Sequence, residues 1–148
     1  MKLKDILKVK GSKVWTVRMN QSLLEAVHIL VNQKIGALLV LNGKNQVVGI
    51  ISERDLMRAC YAESKELDKI PVSTWMTKKI IMGSPDDEIK DVMATMTEKR
   101  VRHIPVVVDD QLQGMVSIGD IVKFLLQDSQ HELQYLKEFM YGSAPEEL

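Results

Sequence analysis

The sequence predicts a mixed α/β (α+β) fold built from two tandem copies of one small unit. Two observations carry this reading. One is an internal repeat at a spacing of 65 residues; the other is hydrophobic patterning that switches between helical and strand-like periods inside each copy. Gly49 and Gly114, Ser52 and Ser117, and Asp55 and Asp120 all keep the 65-residue spacing. Upstream, Ile35 and Val101 are 66 apart, so the second turn is one residue shorter. Such a change is easily tolerated at a loop tip.

Each copy reads helix, strand, turn, strand, helix. In the first, Leu23, Leu24, Val27, Leu30 and Val31 follow helical spacing. The run Gly36-Ala37-Leu38-Leu39-Val40 reads as a strand and Asn42-Gly43-Lys44-Asn45 as a turn. Val47 to Ser52 returns as the second strand, and Leu56 to Ala62 is the second helix. A linker, Glu63 to Lys79, carries the extended break Ile70-Pro71-Val72; its Trp75 and Met76 are expected to pack back on the core. The second copy opens at Ser84-Pro85-Asp86-Asp87-Glu88, which has the chemistry of a helix start, followed by Ile89, Val92, Met93 and Met96 at helical spacing. His103 to Val108 and the run from Leu112 form its hairpin around Asp109-Asp110-Gln111. A final helix runs from Ile121 to roughly Gly142, its expected C-cap. Its stripe of Phe124, Leu125, Leu133, Leu136, Phe139 and Met140 serves either a subunit interface or intramolecular packing. The expected boundaries are 1–62 for the first repeat with its N-terminal segment, 63–79 for the linker, 80–127 for the second repeat and 128–148 for the C-terminal helix and tail.

One copy of about 60 residues is marginal alone, because too little surface is buried. Two copies packed sheet to sheet, related by a pseudo-two-fold axis, would bury their apolar strands mutually. The 148 residues suffice for that arrangement, and 45% apolar with 27% charged residues is ordinary for a globular protein. Lys plus Arg equals Asp plus Glu at 20 each, which argues against a non-specific nucleic-acid binder. The longest apolar run, Ile35 to Leu41, is far too short to span a membrane. Met1 to Lys8 has no continuous apolar stretch, so no signal peptide is expected and the cytoplasm is the default location. The single cysteine, Cys60, excludes an intramolecular disulfide; it is expected to be a packed thiol. His28 and His131 are expected to be surface or packing residues.

Both copies pass from strand to helix through Ser-x-x-Asp, as Ser52-Glu53-Arg54-Asp55 and Ser117-Ile118-Gly119-Asp120. Two readings of this pattern stand. It can be a capping box, in which serine and acid satisfy the free N–H groups of the helix start. It can equally be a ligand site: a helix N-terminus suits phosphate, and a carboxylate one turn in can accept both hydroxyls of a ribose. The strand Ile104-Pro105-Val106 beside it can hold a flat base. Pro105 has no N–H, which would leave neighbouring backbone groups free to read an adenine edge. Arg54, Arg100, Arg102 and His103 are near in sequence and could meet phosphates, although Arg100 and Arg102 also fit a solvated helix end and His103 a local hydrogen bond.

Tandem Gly-h-h-Ser-x-x-Asp segments with an Ile-Pro-Val strand resemble paired cystathionine-β-synthase (CBS) domains, the Bateman module. The second copy is the fuller match, from Arg100 to Val106 and from Gly114 to Lys123; the resemblance spans roughly Lys4 to Gly142. It implies β-α-β-β-α repeats and a regulatory sensor of adenosyl ligands: AMP, ADP, ATP, and in some members NAD or S-adenosylmethionine. Carried over, Asp55 and Asp120 would hold ribose hydroxyls, and Ser52 and Ser117 would contact ribose or phosphate. Ala37 and Leu38, preceded by Gly36, and Ile104 and Pro105 would line the adenine pockets, and Thr16 matches the family's threonine. Ile118 and Gly119 belong to the second-copy motif. The two copies differ: Met82 stands opposite Thr16, Leu39 opposite Pro105 and Gly36 opposite Arg102. The two clefts should therefore be unequal, with at most one strong site. Members form homodimeric discs and act through other domains or partners. Neither a catalytic triad, a metal-ligand cluster nor a glycine-rich phosphate loop is visible, so no enzyme activity is expected; a structural dimer with degenerate sites is the alternative.

Overall fold

The computed structural model describes residues 1–128. Helix α1 (Leu3–Lys10) leads into the first unit: strand β1 (Thr16–Arg18), helix α2 (Leu23–Gln33), strands β2 (Ala37–Leu41) and β3 (Val47–Ser52), and helix α3 (Glu53–Ala62). A 3₁₀ turn (Leu67–Lys69) and the single-turn helix α4 (Val72–Trp75) come next. The second unit comprises helix α5 (Ile89–Lys99), strands β4 (His103–Val108) and β5 (Gln111–Ser117), and helix α6 (Ile118–Asp128). The α+β class read from the sequence is the class observed.

In the first sheet β1 runs parallel to β2, and β2 pairs antiparallel with β3. In the second, β4 and β5 form an antiparallel hairpin, and a single parallel bridge from Gly83 to Val106 stands in place of β1. A Cβ at Gly83 would lie 2.8 Å from Leu3 Cδ1 and 3.2 Å from Ile104 Cγ2. Leu3 therefore fills the space that the side chain of a longer strand would need. Helices α2 and α5 end alike: Lys34 and Arg100 both adopt the left-handed conformation at φ 55° and return their N–H groups to the last turn. The β4–β5 connection places Asp109 and Asp110 at φ 49° and 64°, the geometry a two-residue hairpin prefers.

Each unit's core is completed by the segment that precedes the other unit. The first core gathers Leu23, Leu30, Leu38, Val40, Ile51 and Leu56, and is closed by Ile70, Val72, Trp75 and Met76. The second gathers Ile89, Val92, Met96, Ile104, Val116 and Ile121, and is closed by Leu3, Ile6 and Leu7 of α1. Backbone bonds fix both exchanges. Leu23 N–H donates to the Ile70 carbonyl (2.8 Å) and Val72 N–H to the Gln21 carbonyl (2.7 Å). On the other side, Leu3 N–H donates to the Asp87 carbonyl (3.0 Å) and Ile89 N–H to the Met1 carbonyl (2.9 Å). The repeated glycines receive the crossing side chains: a Cβ at Gly49 would meet Met76 Sδ at 2.6 Å, and one at Gly114 would meet Leu7 Cδ2 at 2.7 Å.

Several sequence expectations change. The N-terminal stretch, read from the sequence only as lacking the apolar run of a signal peptide, contains α1, which buries Leu3 and Ile6 against the second unit. The buried face of α2 is Leu23, Ala26 and Leu30, while Val31 is 68% exposed, so the apolar stripe is rotated toward the smaller alanine. Helix α3 begins at Glu53 rather than Leu56, because Ser52 caps it. Cys60 is exposed, not packed; the buried position on that turn is Ala59. Trp75 and Met76 do pack on the first core. The expected stripe beyond Leu125 and the cap at Gly142 lie outside the described residues.

The close approaches predict an asymmetric pair of substitutions. Gly49→Ala would press on Met76 and on the Thr77 carbonyl, 3.1 Å away, whereas Gly114→Ala meets the flexible end of Leu7. Both should lower stability by about 1–3 kcal/mol, with Gly49→Ala the larger loss, in urea unfolding followed by circular dichroism.

Candidate ligand-binding cleft

The stretch joining α1 to β1 must cross from the second unit, where α1 is docked, to the first, where β1 is paired. In crossing it forms one wall of a cleft of about 310 Å³. Lys10, Lys13, Val14 and Trp15 supply that wall, Ile35, Gly36 and Ala37 come from the first unit, and His103, Met115, Ser117 and Asp120 from the second. Five of the residues singled out from the sequence thus meet in one place: Gly36, Ala37, His103, Ser117 and Asp120. Sequence reasoning missed Lys10, Lys13, Val14, Trp15, Ile35 and Met115 as site residues. The available signal was the position of Val14 and Trp15 immediately before Thr16.

The capping reading of Ser-x-x-Asp is realised in both copies. Ser117 N–H donates to Asp120 Oδ2 (2.8 Å) and Asp120 N–H to Ser117 Oγ (3.0 Å). Ser52 and Asp55 make the same reciprocal pair, at 2.9 and 3.3 Å. The two acids nevertheless differ in what remains free. Asp55 is 5% exposed; its Oδ2 accepts from Ser52 Oγ (3.0 Å) and its Oδ1 from Thr77 Oγ1 (3.4 Å). Asp120 faces the cleft. Its Oδ2 also takes the Lys10 ammonium at 2.6 Å, and its Oδ1 has no hydrogen-bond partner among the described residues. Lys10 Nζ donates in addition to the Met115 carbonyl (2.5 Å), which leaves its third N–H uncommitted.

The remaining sequence candidates lie outside this lining. Leu38, Ile104 and Pro105 are buried in their strands, and Ile118 packs on the second core. The edge of β4 is not free as expected: Gly83 N–H donates to the Pro105 carbonyl (2.8 Å) and Val107 N–H to the Gly83 carbonyl (2.9 Å). Thr16 is half-buried in β1 opposite Leu39. Arg54, Arg102 and Gly119 are exposed, and so is Arg100, the cap of α5. His28 is at the surface. Among the described residues no cluster of three or more His, Cys, Asp or Glu is placed to hold a metal ion, and no helix is long and apolar enough to cross a membrane.

The electrostatics of the cleft centre on Lys10. Burial pushes the Asp120 carboxyl up, but the Lys10 hydrogen bond, the Ser117 N–H and the Lys10 charge outweigh it and hold its pKa below the usual value. Burial lowers the pKa of His103; the charge of Lys10 adds to this, Asp120 opposes it in part, and Arg102 contributes further lowering. Near neutral pH His103 is therefore a neutral donor and acceptor. Lys13 places its ammonium 4.5 Å from the centroid of the Trp15 ring, a cation–π contact.

The CBS-domain family model matches residues 3–62 and 72–127. The chain belongs to the CBS-domain family. The mitochondrial CBS domain-containing protein CBSX3 of Arabidopsis thaliana is 34% identical over 149 residues, covering 95% of this chain and 72% of its own length. A crystal structure of a CBS-domain-containing protein from Agrobacterium tumefaciens is 37% identical with TM-score 0.79, covering 84% of this chain and 99% of that one. The CBS domain pair of protein MJ0100, solved in complex with 5-methylthioadenosine and S-adenosyl-L-methionine, is 26% identical with TM-score 0.75, over 86% of this chain and 98% of that one. In this chain α1 and the 70–76 segment are thus exchanged between the two CBS repeats.

Within the cleft, His103 and Asp120 both have depressed pKa values, and these set its response to acid. His103 has a folded pKa below its unfolded value, so the unfolded chain binds protons first and stability falls as pH drops through about 6.5. Asp120 contributes stability above its unfolded value near 3.9, lost as pH falls through the lower folded value. Unfolding free energy should fall between pH 7 and 5, and His103→Gln should flatten that slope. An unchanged slope would remove His103 from the explanation.

Proposed function

We propose that the CBS pair is a ligand-sensing regulatory module that binds an adenosyl compound in the cleft between its repeats. The observation that carries this reading is the open Oδ1 of Asp120 at the start of α6, inside a cleft lined by both units. A ribose hydroxyl can donate to that oxygen, while the apolar wall of Ile35, Ala37, Val14 and Met115 suits a flat base. The ligands in the MJ0100 domain pair support the same chemical class. Adenine nucleotides (AMP, ADP or ATP) are the proposed ligands, with NAD and S-adenosylmethionine as the alternatives the sequence left open. Asp55 is not assigned a ribose, because it is buried and both its oxygens already accept hydrogen bonds.

The signalling mechanism is a population shift. A ligand touching both units and the 10–15 crossing favours one relative orientation, provided its affinity for the orientations differs. Output would pass to a partner protein or through self-association. A homodimer is supported by a duplicated surface stripe. Met57 and Tyr61 on α3 are 68% and 95% exposed, and their counterparts at the 65-residue offset, Val122 and Leu126 on α6, are 45% and 46% exposed. A two-fold partner could cover both stripes at once.

Titration calorimetry with AMP, ADP, ATP and NAD is the direct test. Asp120→Ala should weaken binding by about tenfold or more, whereas Cys60→Ser should leave it unchanged; unaltered affinity in the Asp120 variant would overturn the site assignment. Sedimentation should give a dimer that Tyr61→Glu with Leu126→Glu dissociates, and a monomer at high concentration in the parent protein would refute the assembly.

A further inference from the structure

The cleft has an uneven distribution of charge. Its lining holds one carboxylate, Asp120, and two ammonium groups, Lys10 and Lys13. His103 adds no charge in its neutral form. The two features that would draw a cationic ligand are both occupied by lysines. Asp120 is neutralised by Lys10 at 2.6 Å, and Trp15 already has the Lys13 ammonium above its ring at 4.5 Å. Glu53 reaches Gly36, with Oε1 3.8 Å from where a Cβ would stand, but it is not part of the lining.

Neither lysine is used up by these contacts. Lys10 spends two of its three N–H groups on Asp120 and the Met115 carbonyl. The cation–π contact of Lys13 leaves its N–H groups able to meet a ligand oxygen. Gly11, at φ 96° and with nothing within 4 Å of a would-be Cβ, lies between them and lets the chain turn without filling the cleft. Two ammonium donors thus line the cleft into which Asp120 faces.

We propose that Lys10 and Lys13 set the charge class of the ligand, so that the cleft selects phosphate-bearing adenosyl compounds over the neutral thioether and over the sulfonium. This rests on the adenosyl reading above and assigns specificity within it. Lys10 has a double part: it fixes the Asp120 carboxylate through Oδ2, leaving Oδ1 for the sugar, and it offers its third N–H to phosphate. Lys13 adds the second positive charge from the rim. A sulfonium instead meets a lining of net positive charge, in which the one carboxylate is already paired with Lys10 and the Lys13 ammonium stands over the Trp15 ring.

The test compares ADP, 5-methylthioadenosine and S-adenosylmethionine by calorimetry at low salt, with the parent protein, Lys10→Met and Lys13→Met. Methionine keeps an apolar stem, and α1 is held by Leu3, Ile6 and Leu7 rather than by Lys10, so the fold should persist; thermal melting checks it. The parent should bind ADP about tenfold or more tighter than 5-methylthioadenosine, and S-adenosylmethionine weakest. Each substitution should narrow the ADP advantage several-fold, and added salt should narrow it in the parent. Equal affinities for all three in the parent, or an ADP advantage unchanged in both variants, would overturn the charge selection while leaving the adenosyl reading in place. Failure of all three ligands to bind would overturn both.

Discussion

Each unit's leading segment closes the core of the other, and the remaining architecture follows from that exchange. Neither sheet has a complete apolar cover from its own unit. Leu3, Ile6 and Leu7 cover the second, and Ile70, Val72, Trp75 and Met76 cover the first. Removing a large buried side chain from such a contact costs about 2–5 kcal/mol, so separating the units would expose core on both sides. The exchange also obliges the chain to cross between units twice. One crossing, from Lys10 to Trp15, becomes the wall of the cleft; the other brings Thr77 onto Asp55.

The two crossings explain why a duplicated motif yields unequal sites. Ser52–Asp55 and Ser117–Asp120 are capped alike, and the cap by itself leaves one carboxylate oxygen available. The crossing segment then decides the fate of that oxygen. Thr77 pairs with Ile50 through reciprocal backbone bonds (3.0 and 2.8 Å) and lays its hydroxyl on Asp55, sealing it. Lys10 is longer, approaches Asp120 from the cleft side and engages only Oδ2. A capping role thus does not compete with the proposed ligand role: the cap orients the carboxylate, and the neighbour determines whether it remains accessible.

Much of the fold was legible in the sequence because its signals are local and doubled. The 65-residue spacing of Gly49, Ser52 and Asp55 with Gly114, Ser117 and Asp120 located both hairpin-to-helix corners. The glycines were visible, but their reason was not: it lies in Met76 and Leu7, which are distant in sequence. For the same reason α1 was missed, since its two buried residues matter only against a unit far along the chain. Half of the cleft was readable, as Gly36, Ala37, His103, Ser117 and Asp120 sit in the repeat. The lysines and Trp15 belong to no repeated motif, and only the crossing brings them to Asp120. Pro105 misled in the other direction. It does lack a donor, but its carbonyl is taken by Gly83, a pairing that no local pattern announces.

On the proposed reading, the cleft at Asp120 is the open receptor and its twin at Asp55 is closed. Mapping backbone amide shifts by NMR while ADP is added tests this most directly. Shifts should concentrate at Lys10 to Trp15, Gly36, Ala37 and Met115 to Asp120, with Ser52, Asp55 and Thr77 little changed. Shifts centred on Ser52, Asp55 and Thr77, with the Asp120 cleft silent, would contradict it.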